Sequence, residues 1–143
     1  MQIRKADQED IINLMPVLKQ LSPSSKEDDF DKLKKILENI TKDNCHYLCV
    51  VEEDNKIMGS GTLLIQKNLS HYGMPYGHIE NIVVDIKHRK KGIGNKIVLH
   101  LIEKAKEAGC YKLILDCKKE NIPFYEKCGF RDAGEVEMRM DFD

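Results

Sequence analysis

Apolar positions change period along this chain, and the changes mark out its elements. Ile11, Ile12, Leu14, Met15, Leu18 and Leu21 recur at helical spacing, as do Phe30, Leu33, Leu37 and Ile40. Asp7 is placed to cap the first helix, and Ser25 with Asp28 to start the second. Pro16, inside the first pattern, predicts a kink or a break. A short opening strand, Gln2 to Lys5, precedes them. From His46 to Val51 and from Ile57 to Ile65 the pattern is that of strands, joined by the hairpin turn Glu53-Asp54-Asn55-Lys56. Gln66 to Tyr76 reads as a polar loop long enough to be functional. Ile79 to Ile86 is an apolar strand that runs through a basic turn into a helix from about Ile93 to Ala108. Ile93, Ile97, Val98, Leu101, Ile102, Ala105 and Ala108 form its apolar face, and Gly109 is its stop. Tyr111 to Cys117 predicts another strand, Ile122 to Lys127 a short helix, and Phe130 to Phe142 a final strand. This order predicts an α/β fold with one mixed, partly antiparallel sheet, in a single domain spanning residues 1–143.

Composition narrows what such a fold can do. The 143 residues are 41% hydrophobic and 33% charged, which suits a chain that folds and stays in solution. A formal net charge of −1 argues against a general nucleic-acid binder. No stretch approaches the ~18 apolar residues of a membrane span, and the beginning lacks the apolar core of a signal peptide, so the expectation is a cytoplasmic protein without membrane partners. Cys45, Cys49, Cys110, Cys117 and Cys128 are odd in number and form no C-x-x-C pair. Neither a disulfide framework nor a zinc site is expected, and most of these residues read as small core residues. His46, His71, His78, His88 and His100 show no metal spacing.

The basic turn carries the chemistry. Arg89-Lys90-Lys91-Gly92-Ile93-Gly94, between a strand and a helix start, is built for an anion. Unpartnered N–H groups and the helix dipole point at it, glycine lets backbone come close, and Arg89, Lys90, Lys91 and Lys96 add charge. The spacings of the P-loop and of the dinucleotide-binding fold are both missing. What remains is R-x-x-G-x-G, which resembles the loop that wraps the pyrophosphate of acetyl-CoA in the GNAT N-acetyltransferases.

GHIENIVV, GCYKLILDC and NIPFYEKCGF extend that resemblance over the whole chain, and together they resemble the glucosamine 6-phosphate N-acetyltransferase branch. Members of that branch acetylate the 2-amino group of glucosamine 6-phosphate on the route to UDP-N-acetylglucosamine. The resemblance implies acetyl-CoA as co-substrate, held by Ile82, Val83, Val84, Arg89, Lys90, Lys91, Gly92, Ile93, Gly94, Asn95, Asn121, Tyr125 and Lys127, and no metal. It implies Glu80 and Asp116 as the groups that hold and deprotonate the amine, and Tyr125 as the acid for the leaving sulfur. An amine attacks only as its free base, and a thiolate leaves more easily with a proton donor beside it. For the sugar phosphate it implies Ser22, Asn68, His71, Asn81, Ile82, Tyr111, Lys112 and Arg139, and it implies a homodimer whose last strand packs across the interface.

Two residues depart from the branch pattern. Asn81 stands where an acid is usual, and it cannot act as a base at neutral pH. Arg139 lies slightly out of register with the phosphate-binding arginine of the tail, and Asp141 lies near the matching place. These departures keep other amine acceptors open, such as a polyamine, an unphosphorylated amino sugar or a peptide. A non-catalytic acyl-CoA binding domain is the third reading.

Overall fold

The computed structural model describes residues 1–142. One sheet runs in the order β1 (Gln2–Lys5), β2 (His46–Glu53), β3 (Lys56–Gln66), β4 (Tyr76–Val84) and β5 (Leu113–Ile114). The first four strands pair antiparallel, and β5 lies parallel to β4, which is the expected mixed sheet. The hairpin turn is the two-residue loop Asp54-Asn55, both with positive φ, the conformation whose twist matches the strands it joins.

Alternation along β2 assigns the two faces. Leu48 and Val50 pack with Ala6, Ile11, Leu14, Val17 and Leu37, so α1 (Ile11–Leu21) and α2 (Phe30–Lys42) cover that face. Cys49 and Val51 pack with Ile93, Ile97, Val98 and Leu101, so α3 (Ile93–Glu107) covers the other, joined at its edge by Phe124 and Tyr125 of α4 (Ile122–Lys127).

Several boundaries differ from the sequence expectation. Helix α1 runs on through the exposed Pro16, because Leu14 and Val17 on either side of it are buried. Asp7 caps a 3-10 turn, Gln8–Asp10, ahead of α1. Helix α2 starts at Phe30, with Asp29 Oδ1 accepting from the Lys32 N–H, while Asp28 pairs with Lys19 at 2.7 Å. Strand β4 begins at Tyr76 and ends at Val84, since its ladder with β3 extends to the Gln66–Tyr76 pair. The strand expected over Tyr111 to Cys117 is only Leu113–Ile114. Among the described residues the final strand expected in Phe130 to Phe142 does not form, and this segment pairs with neither free edge of the sheet. Cys49 is the buried cysteine; Cys45, Cys110 and Cys128 are half-buried and Cys117 is exposed.

Candidate active site

A β-bulge in the middle of β4 organises the site. Thr62 pairs with Glu80 and Ser60 with Val83, so Asn81 and Ile82 together face Gly61. Asn81 takes the left-handed conformation, φ 54°, that the bulge requires and that Asn tolerates better than most residues. The extra residue reverses the strand's alternation. Ile79 faces α3 before the bulge; after it Ile82 and Val84 face α3, and Val83 turns to α1 and α2. An isoleucine spacing of three, Ile79 to Ile82, with an Asn between, was the sequence signal for this bulge, and alternation alone missed it.

Past the bulge β4 has an open edge. Strand β5 pairs with it only at Gly77 and His78, so from Ile79 onward the side of β4 away from β3 lacks a partner strand. Continuing the parallel register by two residues would set Asp116 level with Glu80 across the opening. Glu80 is half-buried and Asp116 exposed. The N–H and C=O groups of Ile82, Val83 and Val84 on that side are those an extended amide chain would pair with.

At the end of β4 the basic turn opens onto α3. Arg89 Nε donates to the Val84 carbonyl at 3.1 Å, which holds the turn against its strand. Lys90 and Gly92 both have positive φ, 65° and 77°. A β-carbon on Gly92 would meet nothing within 4 Å, so the space above it is open for a ligand. The first bond into α3 runs from the Lys96 N–H to the Gly92 carbonyl, which leaves the Ile93, Gly94 and Asn95 N–H groups without partners in the helix. With Arg89, Lys90, Lys91 and Lys96 around them, these features fit a pyrophosphate.

Helix α4 is fastened to that same turn. Phe124 lies against Gly94, and the Cys128 thiol donates to Asn95 Oδ1 at 3.2 Å. Tyr125 sits half-buried in edge-to-face contact with Phe124 and Phe130, at centroid distances of 4.9 and 6.1 Å. Burial, then the neighbouring thiols of Cys117 and Cys128, push its phenol above the ordinary value, so it stays protonated at neutral pH. Asn121 and Lys127, at the two ends of α4, are exposed.

The residues expected to bind the sugar phosphate are divided. At the start of β4 and β5, His71 stacks on Tyr111 at 4.0 Å and 9°, and Lys112 Nζ lies 4.8 Å over Tyr76 and 5.5 Å over Tyr111. Tyr76 and His78 belong to this cluster too, and the sequence reading did not name them. The loop before it is braced by Asn68 and Ser70 and has consecutive left-handed residues, His71 and Tyr72. Glu80 lies four residues further along β4, about 13 Å. Ser22 is at the other end, on the exposed C-cap of α1, and Arg139 lies in the exposed tail, paired with Glu137 at 3.3 Å. One chain therefore joins His71, Tyr111 and Lys112, but brings neither Ser22 nor Arg139 to them.

Two surface pockets lie apart from these residues. A cavity of about 270 Å³ is lined by residues including Asn13, Val17, Asn55, Asp85 and His88, and an apolar one of about 130 Å³ lies between α1 and α2. Neither contains an expected site residue. Among the described residues no group of His, Cys, Asp or Glu is arranged to hold a metal, and no helix is long and apolar enough to cross a membrane.

The chain is similar to known proteins along most of its length. The model of the Acetyltransferase (GNAT) family matches residues 11–130. A glucosamine 6-phosphate N-acetyltransferase of Trypanosoma brucei brucei is 42% identical over 102 residues, which take in 71% of this chain and 65% of that protein. The crystal structure of glucosamine-6-phosphate N-acetyltransferase from Arabidopsis thaliana superposes with a TM-score of 0.91 at 36% identity, covering 99% of this chain and 98% of that one. A predicted acetyltransferase of Clostridium acetobutylicum, solved with acetyl-CoA, superposes with a TM-score of 0.75 at 25% identity over 96% of this chain and 95% of its own.

Proposed function

The chain belongs to the acetyltransferase (GNAT) family, and from that we propose that it transfers acetyl from acetyl-CoA to the 2-amino group of glucosamine 6-phosphate, giving N-acetylglucosamine 6-phosphate and CoA. The observation that carries the reading is the open edge of β4 leading from the bulge at Asn81 to the anion-binding turn, with Glu80 at its mouth.

Acetyl-CoA supplies the acetyl group as a thioester, ready for attack by an amine. The turn from Arg89 to Asn95 holds its pyrophosphate, Ile82 to Val84 pair with its amides, and Asn121 and Lys127 flank the arm. Glu80 and Asp116 accept the proton that the substrate ammonium must lose, directly or through a water. A backbone N–H at the bulge, where the ladder to β3 is interrupted, donates to the acyl oxygen. Tyr125, kept protonated, gives its proton to the departing sulfur. No step here calls for a metal.

The acceptor site is completed by a second copy of the chain. His71, Tyr111 and Lys112 at one end of the sheet and Ser22 at the other cannot reach one sugar phosphate, whereas the tail, with Arg139, is free to cross to a partner. We place this homodimer in the cytoplasm, as one domain per chain serving amino sugar synthesis.

The test is release of free CoA from acetyl-CoA by the purified chain, with glucosamine 6-phosphate, glucosamine and spermidine as separate acceptors. Release with the phosphorylated sugar alone is expected. Release with another amine only, or with none, overturns this choice of acceptor.

A further inference from the structure

Gln20 is two residues before Ser22 and is tied to the far side of the sheet. Its Nε2 donates to Asp85 Oδ1 at 3.2 Å, and its Oε1 accepts from the Ile86 N–H at 2.9 Å. One side-chain amide thus meets both ends of a short stretch 65 and 66 residues away. That stretch shapes the cofactor turn. Asp85 Oδ1 also accepts from the Lys87 N–H, and its carbonyl from the His88 N–H, which winds Ile86–His88 into a 3-10 turn delivering Arg89. The neighbouring Lys19 pairs with Asp28 at 2.7 Å, which closes the base of the loop between α1 and α2. The end of α1 is therefore held from two adjacent residues, one bracing its own loop and one gripping the root of the basic turn.

We propose that Gln20 is a positioning residue that couples the cofactor turn to the acceptor side of the site. The proposal rests on the reading above, in which Ser22 faces the acceptor and residues 89–95 face pyrophosphate. Anion binding at the turn orders the segment from Asp85 to Arg89. Through the Gln20 amide that order reaches the last turn of α1 and Ser22. The cofactor then pre-arranges the place where the sugar phosphate binds, so the two ligands bind with positive coupling. Lone hydrogen bonds at exposed positions contribute modestly, but one partner here is a carboxylate and the two bonds share one rigid amide.

The experiment combines kinetics with hydrogen exchange on the full chain. In Gln20→Ala the KM for glucosamine 6-phosphate should rise about three- to tenfold, the worth of one to two such bonds, while kcat and the acetyl-CoA Kd stay within about twofold. Acetyl-CoA should slow exchange at Leu18 to Ser22 in the natural chain, and this protection should vanish in Gln20→Ala. Gln20→Glu places two carboxylates together and should behave like the alanine variant. Lys19→Ala, which opens the neighbouring ion pair with Asp28 and leaves the Gln20 amide in place, should change neither the KM nor the protection, whereas a general loosening of the end of α1 would change both. An unchanged acceptor KM in Gln20→Ala, or an equal rise in Lys19→Ala, overturns the proposal. Should the chain turn over no glucosamine 6-phosphate at all, the functional reading fails, and the exchange measurement still decides the coupling: protection that depends on Gln20 supports it, and its absence overturns it.

Discussion

Ile82 Cδ1 lies 2.8 Å from the point where a β-carbon on Gly61 would stand, so the bulge in β4 and the missing side chain on β3 are one feature. Ile97 Cγ2 is closer still, at 2.6 Å, and Leu101 Cδ1 is at 3.1 Å. Gly61→Ala would push three packed side chains apart, a change that costs about 1–3 kcal/mol. The expected result is a thermal midpoint lower by about 3–10 °C. Because Ile82 is part of the open edge, acetyl-CoA should also bind more weakly. Calorimetry of the free and acetyl-CoA-bound variant checks both, and an unshifted affinity would separate the bulge from the cofactor edge.

Gly92 differs in kind, since a β-carbon there meets nothing within 4 Å. Its φ of 77° is the only obstacle inside the chain, and forcing a side chain into that region costs about 1–2 kcal/mol. Gly109 has the same conformation, φ 78°, and the same open space at the other end of α3, which makes it the control. Both Gly→Ala changes should lower the melting temperature by similar amounts. Only Gly92→Ala should weaken acetyl-CoA, by about tenfold or more if the turn must close on pyrophosphate with its backbone. Titration of acetyl-CoA into the two variants decides.

Tyr125 combines a packing role with a proton. Tyr125→Phe keeps the edge-to-face contacts with Phe124 and Phe130 and removes the phenol. Turnover should fall by about 100-fold or more, in the range usual for a lost general acid, while the acetyl-CoA Kd stays within about twofold. Equal losses in both would make Tyr125 a packing residue. Since the phenol is held above its ordinary value, its ionisation should not limit turnover anywhere below about pH 10.

A second polar pair gives the fold its own pH dependence. Tyr47 Oη and His100 Nε2 are 2.8 Å apart between β2 and α3. Burial raises the phenol to about 12, so Tyr47 stays protonated, and the direction of its hydrogen bond with His100 follows the tautomer of the imidazole. Burial, followed by the charge of Lys104, lowers the His100 pKa, against a smaller opposing effect of Glu107. Below its ordinary value of 6.5 the unfolded chain binds this proton more readily than the folded one, so stability is complete above pH 6.5 and is lost as the pH falls through the lowered pKa. Melting curves between pH 7.5 and 5 should show a decline, and His100→Gln should flatten it. An equal decline in that variant would assign the effect to other groups.

Much of the framework was legible in the residues. Helical spacing identified α1 to α3, and Asp54-Asn55 identified the hairpin, because these signals are local. The boundaries that failed depend on partners distant in sequence. Asp28 looked like the start of α2, but Lys19 takes it, and Asp29 becomes the cap. YKLILDC has the composition of a full strand, yet β5 parts from β4 after Ile114, and composition does not report where two strands diverge. In the site, the turn at 89–94 and the motif around Tyr125 were readable as short patterns. The bulge, the Gln20 contact with Asp85 and the cluster of Tyr76 and His78 with Tyr111 arise only when the sheet brings them together.

The proposed homodimer bears on the tail in the same way. Val136, Met138, Met140 and Phe142 are 80, 89, 78 and 87% exposed and alternate with Glu135, Glu137, Arg139 and Asp141. That alternation is the pattern of a strand with one buried face, and a single chain leaves the apolar face in water. In the proposed homodimer this face would be covered, and the outer side of β5, with Ile114 also exposed, lacks a strand partner among the described residues. Pairing between two copies would satisfy both and carry Arg139 toward the partner's acceptor site. Ending the chain after Gly134 should therefore convert the proposed dimer into a monomer near 15 kDa by sedimentation, below the 16.5 kDa of the whole chain. The shortened chain should keep its acetyl-CoA affinity, which depends on the turn and β4, and lose acetylation of glucosamine 6-phosphate. Arg139→Ala in the full chain should leave the dimer intact and raise the acceptor KM about tenfold, the scale of one charge-assisted contact. If the shortened chain stays fully active, the tail belongs to neither the interface nor the site, and Lys112 and His71 are left as the candidate phosphate ligands.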